Sequence, residues 1–199
     1  MTIAALIPAA GLSLRMGRPK LILPVGGIPL ISRVVDALRK GGAGRVIVIT
    51  PPDGSPGASE LIEAAQREGA EIVVAPSPPS DMRASIELGL IRLGEGPEPT
   101  SVLLTPGDSP GLDSRSVARV VGRATETPGR IVIPRHDGRR GHPLLLPWPL
   151  ACLITRLPAD LGVNALMTSH ADLVEFVETD DPGILDDLDT PEDYRRWSG

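Results

Sequence analysis

The chain has 199 residues, 41% of them hydrophobic, with a formal charge of −5 and an isoelectric point near 5.2. That is apolar content for one domain with a full core, and the acidic balance argues against a general nucleic-acid coat or an anionic membrane surface as partner. No apolar run approaches the roughly 18 residues of a membrane span, and the lone cysteine, Cys152, excludes an internal disulfide, so a reducing cytoplasm is the expected compartment.

Read in order, the chain alternates apolar strand-like runs with amphipathic helix-like runs. Residues 3–7 form the first predicted strand; the run has no basic segment before it and breaks at Pro8, which speaks against a signal peptide. A helix is predicted over 29–40, opening on Pro29 and ending before Gly41-Gly42. Strand 45–49, helix 58–68 and strand 71–75 follow. A helix over 81–93, with Ser80 as its cap, carries Met82, Ile86, Leu90 and Leu93 on one face. Strand 101–105 precedes a helix over 114–124 capped by Asp113. Strands 130–133 and 142–146 flank Asp137-Gly138, a hairpin signal, and strand 172–177 comes last. The pattern predicts a doubly wound α/β domain with a mostly parallel sheet and a mixed antiparallel edge. One domain over residues 1–199 is expected. Cys152 lies in the apolar run LACLITRL and reads as a core residue.

In such sheets ligands bind beyond the carboxyl ends of the strands. That places three loops on one rim: PAAGLSLRMGRPK after the first strand, SPPSDM, and PGDSPGLD. The first holds Arg15, Arg18 and Lys20 and no acid, although the chain is acidic and has only two lysines. It is not a dinucleotide fingerprint, because Gly11 and Gly17 are six apart and Pro19 and Pro24 delay any helix. It is not a P-loop, because Gly17 is followed by Arg18-Pro19-Lys20. Its glycines let backbone amides approach a ligand, Arg15 can grip phosphate oxygens bidentately, and Lys20 is a compact cation. The bland alternative is a solvated surface loop.

Two acidic stretches complement it. Asp108 ends the strand Leu103-Leu104-Thr105 among turn formers and projects toward the opening loop. Late in the chain stands Asp186-Asp187-Leu188-Asp189-Thr190-Pro191-Glu192-Asp193. Thr190 and Asp193 suit a helix start, which leaves Asp187 and Asp189 without a local role. Magnesium is typically held by one or two carboxylates together with substrate phosphates. Asp108 with Asp189, or less favourably Asp187, makes such a site if the closing segment crosses the rim.

These stretches resemble the small nucleotidyltransferases of the molybdenum cofactor, most closely the cytidylyltransferases. The opening Pro8 to Lys20 is similar to L-A-A-G-x-S-x-R-M-G-x-x-K, Gly107 to Leu112 to G-D-x-P-x-L, and Asp187 to Asp193 to D-x-D-T-P-E-D. Gly141-His142-Pro143 resembles G-H-P, and Met82 to Leu90 resembles M-S-x-S-L-x-x-G-L. The resemblance implies a Rossmann-like nucleotidyltransferase that moves CMP from CTP onto the terminal phosphate of molybdopterin and releases pyrophosphate, with a nucleotide-binding part at about 1–113 and an acceptor-binding part at about 114–199. It implies nucleotide contacts at Ala9, Ala10, Gly11, Ser13, Arg15, Lys20, Ser85 and Asp108, with Arg15, Lys20 and Asp108 catalytic. It further implies Mg2+ on Asp108 and Asp189, acceptor contacts at His142 and Asn164, and a molybdoenzyme or its chaperone as recipient.

The chain departs from that pattern at several points. Pro8 replaces leucine, Ser109 replaces a glutamine of the cytidylyl branch, Asp81 stands where glycine is expected, and Asn164 stands where arginine is usual. Loss of a cation at 164 weakens the case for an anionic pterin acceptor and leaves a sugar or alditol phosphate as an alternative. Ala9-Ala10-Gly11 favours CTP over GTP, since the guanylyl branch carries a further glycine. A nucleotide-binding chaperone without turnover is the competing reading of another class. Met16 and Met82 read as packing residues, Arg139-Arg140 as a solvated hairpin tip.

Overall fold

The computed structural model describes residues 1–11, 13, 16–158 and 160–197. Among them, the strands are β1 (Ile3–Pro8), β2 (Pro24–Val25), β3 (Ile28–Pro29), β4 (Arg45–Thr50), β5 (Glu71–Val74), β6 (Ser101–Leu104), β7 (Ile131–His136), β8 (Arg139–Arg140), β9 (Leu144–Pro147) and β10 (Val174–Glu178). The helices are α1 (Leu30–Lys40), α2 (Ala58–Arg67), α3 (Met82–Gly94), α4 (Ser114–Glu126), α5 (Trp148–Ala151), α6 (Asn164–Ser169) and α7 (Pro191–Trp197). No helix among the described residues is long and apolar enough to cross a membrane.

The main sheet runs β10-β7-β9-β6-β1-β4-β5, with β8 hairpinned onto β7. β6, β1, β4 and β5 are mutually parallel, as are β10 and β7. The antiparallel strand is β9, which pairs with β6 on one side and β7 on the other. The mixed part therefore lies inside the β10 half of the sheet, while the outermost strands are themselves parallel to their neighbours. The β7–β8 turn is made by Asp137 and Gly138 at φ 47° and 75°, the left-handed pair that a two-residue hairpin needs.

β1 is apolar throughout because both its faces are covered. Ile3, Ala5 and Ile7 join a core with α1, α2 and α4; Ala4 and Leu6 join a second core with α3, β9 and α5. Helix α1 buries Leu30, Ile31, Val34, Val35 and Leu38 on one stripe. Helix α3 approaches β1 closely at Gly89, where an added Cβ would lie 2.8 Å from Leu6. The register Leu6↔Ile47 and Leu6↔Leu104 brings the carboxyl ends of β1, β4 and β6 out at one edge.

Several boundaries differ from the sequence reading. The cap of α3 is Asp81, not Ser80: its carboxylate accepts the Ala84 N–H at 2.8 Å and the helix starts one residue later. Met82 leaves the buried face formed by Ile86, Leu90 and Leu93 and is 55% exposed, because a first-turn residue projects past the sheet edge. Pro29 pairs in the β2–β3 ribbon and precedes α1. The ribbon and the short helices α5 and α6 carry too little periodicity to be seen in sequence. Cys152 packs beside the second core, and burial pushes its thiol pKa up, in line with a packing role.

Candidate functional site

The chain leaves β1 by extending its ladder once more, the Ala9 N–H donating to the Ile49 carbonyl at 2.8 Å. That amide is thereby committed within the protein and is not offered to a base. Ser13 sits at φ 51°; its carbonyl accepts the Met16 N–H at 3.0 Å and its Oγ accepts the Lys20 N–H at 3.2 Å. Buried Met16 and Leu21 pin the loop to the core, the packing role expected of Met16. Helix α7 holds it from outside: the Tyr194 hydroxyl donates to the Pro24 carbonyl at 3.0 Å, and the Arg18 guanidinium lies over the Tyr194 ring at 5.2 Å. Arg15, the loop's other candidate phosphate ligand, lies outside the described residues.

The closing segment crosses the rim by backbone contact. The Leu188 N–H donates to the Asp108 carbonyl at 2.9 Å, and the His142 N–H donates to the Ile184 carbonyl at 2.9 Å. Gly111 lies so near this segment that an added Cβ would come within 2.6 Å of both Gly183 Cα and the Asp186 carboxylate. Two glycines facing each other allow that approach. Leu188 is fully buried in the first core, and α7 is fixed by a reciprocal cap: the Thr190 N–H donates to Asp193 at 2.8 Å and the Asp193 N–H donates to Thr190 at 3.2 Å. The Thr190 hydroxyl and the other donors around it hold the Asp193 carboxyl down to about 2.

This crossing brings Lys20, Asp108 and Asp189 together from three distant parts of the chain. Lys20 Nζ donates to Asp108 Oδ2 and, at 2.8 Å, to Asp189 Oδ1; the Lys20 and Asp108 side chains are 15% and 18% exposed. Burial works to lower the Lys20 pKa, but the charges and hydrogen bonds of Asp108 and Asp189 outweigh it and hold the ammonium above its ordinary value. Asp187 is more peripheral; burial of its carboxyl, then the charges of Asp108 and Asp189, push its pKa up. Asp108 Oδ1 is buried without a hydrogen-bond partner among the described residues. Among those residues no cluster of three or more metal-type ligands exists. A pair of carboxylates with one buried, uncommitted oxygen suits a hard divalent ion whose remaining ligands are substrate oxygens and water.

Around this pair lies a cleft of about 550 Å³, lined by Pro8–Gly11, Ser13, Lys20, Asp81, Ser85, Asp108 and Asp189. The expected nucleotide residues Ala9, Ala10, Gly11, Ser13, Lys20, Ser85 and Asp108 are thus brought to one cleft. A second cavity of about 500 Å³ adjoins it, sharing Pro8, Asp81, Met82 and Pro106 as a common wall. His142 and Asn164, predicted as acceptor contacts, both line this second lobe, as does Arg140 from the hairpin. The imidazole Nδ1 of His142 is buried without a partner among the described residues; burial lowers its pKa, with the Asp108 charge opposing. Each lobe draws on both halves of the chain: Asp189 lines the first, and Met82, Arg83 and Ile86 line the second. Sequence reasoning assigned neither Met82 nor Arg83 to a cavity wall; the available signal was the SPPSDM loop on the rim, which ends at Met82.

A family model described as the MobA-like NTP transferase domain matches residues 5–174. The chain is 32% identical over 202 residues to the molybdenum cofactor guanylyltransferase of Rhizobium meliloti (strain 1021), covering 96% of this chain and 88% of that one. Among solved structures it is similar to Rv0371c from Mycobacterium tuberculosis H37Rv, with a TM-score of 0.82, 28% identity, and coverage of 98% of this chain and 97% of that chain. A manganese complex of the same mycobacterial protein gives a TM-score of 0.79 at 26% identity, covering 100% of this chain and 98% of that one.

Proposed function

This chain belongs to the MobA-like NTP transferase family, and we propose that within it the protein transfers a CMP group from CTP to the terminal phosphate of molybdopterin, releasing pyrophosphate. It is a nucleotidyltransferase related to the molybdenum cofactor guanylyltransferase. The observation that carries the proposal is the meeting of Lys20, Asp108 and Asp189 in one cleft with a second lobe opening beside it.

An oxygen of the acceptor phosphate attacks the α-phosphorus of the nucleotide. The bond from that phosphorus to the oxygen bridging toward the β-phosphate breaks, and the electron pair leaves with pyrophosphate. Such transfer asks a protein for position and charge neutralisation rather than a nucleophile. Lys20, with Arg15, neutralises the triphosphate and the charge that grows on the leaving group. Asp108 and Asp189 would hold a divalent ion, Mg2+ in the cell, which supplies charge neutralisation on the phosphate oxygens. Ala10 and Gly11 present backbone to the nucleotide, and Ser85 faces the base from α3. His142 stays neutral near pH 7 because it is buried, so it serves as a hydrogen-bonding group toward the acceptor and not as a cation. Asn164, exposed at the start of α6, gives the acceptor an amide. The product passes to a molybdoenzyme or its chaperone.

GTP is the second reading of the donor, favoured by the 32% identical guanylyltransferase; the Ala9-Ala10-Gly11 opening favours CTP. A sugar or alditol phosphate is the second reading of the acceptor, favoured by the uncharged Asn164 in the second lobe. The test is pyrophosphate release with CTP or GTP, Mg2+, and either molybdopterin or a phosphorylated sugar alcohol. Release that requires both CTP and molybdopterin is the expected result. Release with GTP alone reassigns the donor, and release with the phosphosugar alone reassigns the acceptor. Tight nucleotide binding with no release for any acceptor makes the protein a binding module.

A further inference from the structure

Arg83 is the second residue of α3, and its side chain is 16% exposed. Its Nε donates to Glu87 Oε1 at 2.8 Å, one turn along the same helix. Its Nη1 donates to the carbonyls of Pro158 and, at 2.9 Å, Leu161. The Pro158 carbonyl also accepts the Leu161 N–H at 3.0 Å, so one guanidinium closes a turn on a segment 75 and 78 residues away. Asp160, Leu161, Gly162 and Val163 of that segment form a wall of the second lobe. Main-chain hydrogen bonds tie the ends of this stretch to its chain neighbours, Leu157 to Ile154 and Ala165 to Gly162; those from Arg83 reach it from a distant element, α3.

The turn of α3 that carries Arg83 also faces the first lobe, through Asp81, Met82 and Ser85. Asp81 caps that turn and Gly89 seats the helix on β1. The wall of the second lobe is therefore fixed against the same rigid turn that borders the nucleotide. Three of its N–H donors are engaged by these acceptors, which fixes the guanidinium between α3 and that wall.

We propose that Arg83 is a positioning residue that clamps Pro158 and Leu161 to α3 and so sets the shape of the second lobe and the binding of the acceptor, leaving nucleotide binding to the first lobe. The inference rests on reading the second lobe as the acceptor site. Three full-length variants test it: Arg83→Gln, Arg83→Lys and Glu87→Gln, the last keeping the guanidinium but removing the carboxylate that orients it. Amide exchange at Leu161, read by NMR on ligand-free protein, reports the clamp directly. Loss of a charge-assisted bond in Arg83→Gln should speed that exchange about tenfold and raise the acceptor KM by a similar factor. The nucleotide KM should stay within about twofold, since no first-lobe contact is touched. Lysine should restore part of both effects, and Glu87→Gln should move both in the same direction by less.

Unchanged Leu161 exchange in Arg83→Gln overturns the clamp whatever the acceptor is. Faster exchange with an unchanged acceptor KM overturns its link to the acceptor, as do equal rises in both KM values. If wild-type protein turns over a phosphosugar and not molybdopterin, the acceptor assignment above fails while the KM comparison proceeds on that substrate. If nothing is turned over, the proposed activity fails and Leu161 exchange alone decides the clamp.

Discussion

The two lobes on the sheet edge are close in size and are assembled differently. The first is built by charge: Lys20, Asp108 and Asp189 are drawn from segments 88 and 169 residues apart and locked by ion pairs and main-chain hydrogen bonds. The second has a broader apolar wall, including Ile86, Leu104, Ile133, Leu144 and Met167, with Arg140, His142 and Asn164 among its polar groups. A phosphate tail is the same for every nucleotide and is recognised by fixed charge. A larger acceptor is recognised by shape with a few placed polar groups. The contrast supports the division proposed above, with the reaction in the first lobe and the choice of acceptor in the second.

Substitutions can break that contrast, beginning with the largest effect. Asp108→Asn should lower pyrophosphate release by about 10²–10³-fold, the scale of losing one preorganised charge at a phosphoryl centre, while thermal melting shows a folded protein. Turnover within tenfold of wild type would take Asp108 out of the chemistry. Gly111→Ala should push the closing segment off the rim, because its Cβ would lie 2.6 Å from Gly183 Cα. Overpacking there should cost about 1–3 kcal/mol in denaturant melts. A shift of Asp189 by about 1 Å should reduce turnover by about 10²-fold.

A smaller effect separates the lobes by pH. His142 has a pKa lowered by burial, so the unfolded chain takes up its proton first as pH falls below the ordinary value of about 6.5. The unfolded state then binds more protons than the folded one, and stability drops from there down to the lower, folded pKa. His142→Asn should flatten the fall in denaturant midpoint between about pH 6.5 and the folded pKa; an unchanged slope would mean that the imidazole is not held neutral. Smallest in stability is Met82→Ala, within about 0.5 kcal/mol for a side chain that is 55% exposed. Because Met82 borders both lobes, its loss should raise both KM values about three- to tenfold. A rise in only one would show that the wall is not shared.

Much of this architecture is readable from residues. The strands β1, β4 and β6 are continuous apolar runs bounded by breakers, because burial on both faces leaves no room for alternation. Asp137-Gly138 announces its hairpin through the left-handed backbone it requires. The residues of the first lobe are visible because a glycine-rich cationic loop and a DxD segment have no adequate local explanation. The second lobe is less visible. Its walls are ordinary core residues of β6, β7 and β9, Arg83 reads as one more helical surface charge, and α6 is too short to show a period. Met82 was misread because helical spacing assigns a face without saying how far the helix overhangs the sheet.

Chain chemistry alone determined the alternation of strands and helices, the rim on which loops gather, and the charges available to hold a phosphate tail; each follows from local periodicity, turn stereochemistry and composition. Only the tertiary structure decided that the closing segment lies across that rim, that Lys20 stands between two acids, and that Arg83 reaches the carbonyls of Pro158 and Leu161. Those outcomes depend on two glycine backbones coming nearly into contact and on hydrogen bonds between residues 75 to 170 apart. Contacts of that range form only once the whole sheet has brought its loops together, and no local signal encodes them.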